Sequence, residues 1–135
     1  MLKKLLLFIL VSTLSVASFA QFSPISAEKV YKDWQVLANS DSKNMVEIFY
    51  CVVKCDGINK VQLMVFNDGT GDREVDISLE IKNTAGDQGI SVKKKFLAQK
   101  GIFHKATCDS DKFSELKITL PDSYDPLGIS VKQTL

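Results

Sequence analysis

Val75, Ile77, Leu79 and Ile81 alternate one for one with Asp76, Ser78, Glu80 and Lys82, and this spacing constrains the chain more than any other feature. A period of two puts all four apolar side chains on one face of a strand and the polar ones on the other, whereas a helix would scatter them around its circumference. The rest of the chain reads the same way. Val46 to Val53 is apolar on both parities and rich in β-branched and aromatic residues, the pattern of a central strand covered on both sides. Val61, Leu63 and Val65 line one face of the next strand, and Met64 and Phe66 point the other way.

The joints have the chemistry of turns. Asp56-Gly57 is a compact turn signal between two strands, and Asn67-Asp68-Gly69 opens a longer hairpin loop through Asp72. Asn83 to Gly89 is a third joint, and Pro121 and Pro126 bracket a fourth around Asp122 to Asp125. Further strands are expected near Trp34 to Ala38, Ile90 to Leu97, Ile102 to Cys108, Leu116 to Leu120 and Leu127 to Val131. Seven or eight short strands (roughly) with no helix among them predict an all-β domain, two antiparallel sheets packed as a single β-sandwich.

The first twenty residues are of a different kind. Lys3 and Lys4 precede an apolar run from Leu5 to Val11 and a softer stretch with Ser12, Thr13, Ser15 and Ser18. That order is a secretory signal, too short and too dilute for a spanning helix, with small residues Ser18 and Ala20 placing cleavage between Ala20 and Gln21. Residues 1–20 are therefore expected to be removed and residues 21–135 to form one exported domain, with no stable membrane anchor. Losing Lys3 and Lys4 takes the 17 basic residues to 15 against 16 acids, a formal charge of −1. Such a balance gives no reason to expect a nucleic-acid partner. The densest basic group, Lys93, Lys94, Lys95, Lys100 and Lys105, reads as a lysine-guarded edge strand.

Trp34 near the start, the run Ile48-Phe49-Tyr50-Cys51 leading to Cys55-Asp56-Gly57, and Ala106-Thr107-Cys108 ahead of Leu116-Lys117-Ile118 form a pattern spanning most of residues 21–135. In it the chain resembles immunoglobulin-like and fibronectin-III-like sandwich domains, and the small secreted β-sandwich proteins of Bacteroidota. It departs from the antibody order because Trp34 precedes every cysteine. The resemblance implies an architecture and no activity, since such sandwiches carry many unrelated functions.

Export brings the three cysteines into an oxidising compartment, where a disulfide is the first expectation. Cys51 and Cys55 lie about 13 Å apart on an extended strand, beyond the about 7 Å that a bridge spans. A long-range bridge to Cys108 remains, with Cys55 the better placed because it adjoins the Asp56-Gly57 turn. Cys51 is then a buried thiol acting as a small hydrophobe. An alternative joins Cys51, Cys55, His104 and Cys108 in a zinc or copper site, since both pairs share a four-residue spacing. Against it, paired ligands along extended strands diverge.

Catalytic signatures are missing from the sequence: there is no G-x-S-x-G elbow, no H-E-x-x-H and no glycine-rich phosphate loop. His104, the single histidine, shares parity with Ile102 and Ala106 and is expected in or beside the core. The acids near Asn67, Asp68 and Asp72, and near Asp109, Asp111 and Glu115, fit turn chemistry better than a calcium loop. The sequence thus predicts a small exported, non-catalytic module without a cofactor, binding a protein or glycan partner in the envelope or outside the cell.

Overall fold

A computed structural model describes residues 25–38, 45–84, 86 and 89–134. The leader and the Ala20/Gln21 junction lie outside them. The described chain is all-β: β1 (Lys29–Ala38), β2 (Val46–Cys55), β3 (Ile58–Asn67), β4 (Arg73–Asn83), β5 (Ile90–Ala98), β6 (Phe103–Lys105), β7 (Lys117–Thr119) and β8 (Ile129–Gln133). Two antiparallel sheets result. The first has the order β1-β2-β3-β6, with β7 pairing the same edge of β3 further along; the second is β5-β4-β8.

One apolar cluster draws on both sheets: Val46, Ile48, Tyr50, Val52, Val61, Leu63 and Val65 from the first, Ile77, Leu79, Ile81, Phe96 and Ala98 from the second. These are the positions of one parity on each strand, so the alternation in β4 becomes the buried face of its sheet. β2 is covered on its other face too, where Cys51, Val53 and Cys55 form a second cluster under Ile25, Ala27, Trp34 and Cys108.

The β2–β3 hairpin turns on Asp56 (φ 50°) and Gly57 (φ 78°), the two successive positive φ values that a two-residue hairpin of matching twist requires. The Asn67–Asp72 loop, by contrast, is not a hairpin loop, because β3 and β4 belong to different sheets. Asn67 makes this crossing. Its buried side chain donates to Gly71 O at 2.9 Å and Ala98 O at 2.8 Å and accepts from Gly69 N at 2.8 Å, while Asp72 accepts from Lys100 N.

Four strands differ from the sequence reading at their boundaries. β1 begins at Lys29, five residues early, because shifts in its register with β2 interrupt the alternation. Leu127 lies outside β8, 74% exposed, because Asp125 caps a 3-10 turn whose first residue is Pro126. The sixth strand is only Phe103–Lys105, and Ile102 does not join His104 and Ala106 on the buried side, since the chain enters through Gly101 at φ 69°. Leu116, expected in the seventh strand, instead ends a 3-10 turn at Ser114–Leu116 but is buried beside Ile118 and Leu120.

All the sheet edges are blunted. β5 pairs β4 alone among the described strands and carries Lys93 and Lys95 outward, with half-buried Lys94 on the face of Ile77. β1 is irregular, β6 and β7 have three residues each, and Lys32 donates to Ile129 O at 3.2 Å on the edge of β8. Interrupted ladders, short strands and edge lysines are the usual defences against strand addition. Lys105, on β6, lies in the other sheet, so the five lysines do not form one patch.

Candidate functional site

A disulfide joins Cys55 to Cys108 across 53 residues of sequence, with Cα atoms 5.3 Å apart. Cys51 is a free thiol, fully buried four residues earlier on the same strand. Gln62 stands opposite Cys51 on β3. Its amide nitrogen donates to Cys55 Sγ at 3.4 Å and Cys108 Sγ at 3.6 Å, and its oxygen accepts from Cys51 Sγ at 3.9 Å. Burial pushes the Cys51 thiol up to about 12, a hydrogen bond from the backbone of Gln62 opposing only in part. At that value it stays a protonated thiol at neutral pH and is a poor nucleophile.

His104 lies on the opposite face of the same sheet. It pairs in register with Val65, its Nδ1 is 3.3 Å from Val65 O, and its Nε2 accepts from Gln99 N at 3.1 Å. That set defines the Nδ1–H tautomer, with Phe96 and Phe113 packed edge-on against the ring. The four residues of the zinc or copper alternative are therefore not brought together: the sheet separates His104 from the cysteines, and two thiols are spent in the disulfide. Among the described residues no group of three or more His, Cys, Asp and Glu is arranged to hold a metal ion.

Beside the disulfide is an open recess of about 510 Å³ lined by Ser26, Ala27, Glu28, Cys55, Asp56, Gly57, Cys108 and Asp109. Two of its acids, Glu28 and Asp109, are engaged locally. Glu28 accepts from Gly57 N at 3.0 Å, and Asp109 is held below the usual carboxylate range by the Thr107 hydroxyl, then by its own backbone N–H, with Ser26 and Lys117 adding smaller effects.

The remaining half of the outer face of the first sheet is different. Cross-strand partners share a face, so the register sets Val36, Phe49, Met64 and Lys105 in one row and Glu47, Phe66 and Phe103 in the next. Met64 is buried beneath its neighbours, Phe49 and Phe66 are half-buried, and Val36 and Phe103 are 57% and 54% exposed. Met45 and Ile102, also exposed, flank the Asn67 end of the sheet. Phe66 and Phe103 stack with centroids 4.1 Å apart and planes at 15°. Rings stacked between adjacent strands stand upright on the sheet, so they offer outward edges and not broad faces. Lys105 Nζ lies 6.0 Å from the Trp34 ring centroid, at the border with the half covered by Ile25, Ala27 and Cys108.

Sequence reasoning missed this row as a site. Its signal was the second apolar parity of β2 and β3, but adjacency to Val36 and Phe103 depends on pairings that no single strand encodes. Comparison of the chain with protein-family models, with curated proteins and with solved structures gives no match. No helix of the described residues is long and apolar enough to cross a membrane.

Proposed function

We propose that this chain is an exported, non-catalytic module of the cell envelope or extracellular space, an immunoglobulin-like β-sandwich that works by protein contact. The observation that carries the reading is the apolar strip Val36–Phe49–Phe66–Phe103 lying across four strands of one outer sheet face. Solvated sheet faces alternate to polar residues, and a partly exposed apolar strip with charged margins is the composition of a contact surface. Upright rings favour apolar side chains over sugars, which stack on ring faces. The Cys55–Cys108 disulfide supports an oxidising destination. Blunted edges direct binding to a face rather than to an added strand.

The test is affinity capture from native envelope extract with the exported protein, run in parallel with the double variant Val36→Asp, Phe103→Asp. A protein retained by the parent and lost by the folded variant is the expected result. Equal retention by both would remove the strip from the function, and capture of glycan alone would replace a protein partner with a carbohydrate.

A further inference from the structure

We infer that the partner of the aromatic strip is a second copy of this chain, docked face to face about a two-fold axis. The inference rests on the contact-module reading above and names its partner.

Glu47 and Lys105 sit at diagonal corners of the two rows: Glu47 on β2 in the row of Phe66 and Phe103, Lys105 on β6 in the row of Met64 and Phe49. Strands lie about 4.8 Å apart and residues two along a strand about 7 Å apart. On that grid a two-fold axis in the plane of the interface, bisecting the Glu47–Lys105 line at right angles, exchanges the two charged corners and passes within about 2 Å of Phe49 and Phe103. Each Glu47 then faces the Lys105 of the other copy. Phe49 and Phe103, near the axis, each meet their own counterpart. An isologous interface requires this relation, in which one residue contacts a second and the second contacts the first. A foreign partner would need the complementary arrangement on its own surface; a second copy already has it.

Ring orientation agrees. The upright Phe66–Phe103 pair presents its ring edges outward, and the edges of one copy interleave with those of the same pair turned over. The two rows are smaller than the about 800 Å² per partner of a standard stable interface. The dimer is therefore weak and concentration-dependent, with dissociation in the micromolar to submillimolar range.

Sedimentation velocity on the exported, disulfide-intact protein from about 1 µM to about 1 mM tests this. A reversible shift from monomer to dimer is expected. Glu47→Lys and Lys105→Glu should each weaken association at least tenfold, and the double exchange should restore it to within about threefold of the parent. Far-UV circular dichroism and a thiol count establish folding. If Lys105→Glu does not fold, Phe103→Ser carries the same test by weakening association. Phe103→Cys in a Cys51→Ala background should oxidise to a covalent dimer, and Leu97→Cys, exposed on the other sheet, should not.

Monomer at every concentration overturns the inference, as does a double exchange no better than either single one. If the protein stays monomeric while the Val36→Asp, Phe103→Asp variant still loses an envelope protein, the self-pairing inference falls and the contact-module reading stands. If the variant loses nothing either, both fall.

Discussion

Gln62 donates its side-chain amide to Cys55 Sγ across 3.4 Å from the adjacent strand, so a fully buried polar group is satisfied almost entirely by sulfur. The same amide nitrogen reaches Cys108, and the oxygen takes the Cys51 S–H. Sulfur is a weak partner, so these bonds contribute little, whereas a charge in the same place would be stranded. Gln62→Leu should change stability by no more than about 1 kcal/mol. Gln62→Glu should cost about 3 kcal/mol or more at neutral pH, and part of that loss should return in acid as the carboxyl is protonated. Urea denaturation of both variants at two pH values measures the difference.

The disulfide closes a long loop between the β2–β3 turn and the segment after β6, and clamps Cys108 over the second apolar cluster. Replacing Cys55 and Cys108 together by Ala should lower unfolding free energy by about 3 to 4 kcal/mol, chiefly by releasing the unfolded chain. Losing less than about 1 kcal/mol in chemical denaturation would show that the cluster holds the segment without the bond.

Burial makes Cys51 inert and gives stability a definite alkaline limit. The folded thiol titrates at about 12 against an ordinary value of 9.0, so above pH 9.0 the unfolded chain sheds a proton that the native chain keeps. Stability from this group is therefore complete below pH 9.0 and is lost progressively as pH rises toward 12. Cys51→Ala should flatten that alkaline fall. In a thiol assay at pH 8 the native protein should give no reaction, one thiol on denaturation, and three after reduction.

The readable part of this fold was local. Val75 to Ile81 and the Asp56-Gly57 turn each carry their conformation in a few adjacent residues, through parity and positive φ. Lys29 to Asp33 did not read as a strand because bulges against β2 break the alternation. Leu127 looked like the first residue of β8 because its parity matches Ile129 and Val131, but Pro126 and the Asp125 cap take it into a turn. Sheet membership is less local still. The Asn67–Asp72 segment has hairpin chemistry and yet carries the chain between sheets. The cysteine pairing could be argued because strand geometry separates Cys51 from Cys55, while the aromatic row required knowing that β1 and β6 flank β2 and β3. Gln62, a lone polar residue in an apolar run, gave no hint that its partners would be sulfur.

Asn67 offers the sharpest test of how the two sheets are joined. Its amide makes two donations, to Gly71 O and Ala98 O, and one acceptance, from Gly69 N, all with no exposure to water. The Ala98 bond ties the end of β3 to the end of β5 in the other sheet, while the Gly69 and Gly71 bonds shape the crossing loop. Asn67→Ala should cost about 2 to 3 kcal/mol, because it leaves buried backbone groups without partners. Asn67→Asp is the more diagnostic change: almost isosteric, it turns the donor into an oxygen facing two carbonyl oxygens. That repulsion and the buried charge should make Asp worse than Ala at pH 7, with Asp improving as pH falls and its carboxyl gains a proton. Chemical denaturation at pH 7 and pH 4 gives the order, and an Asp variant as stable as the parent at pH 7 would mean that the crossing is held by backbone pairing alone.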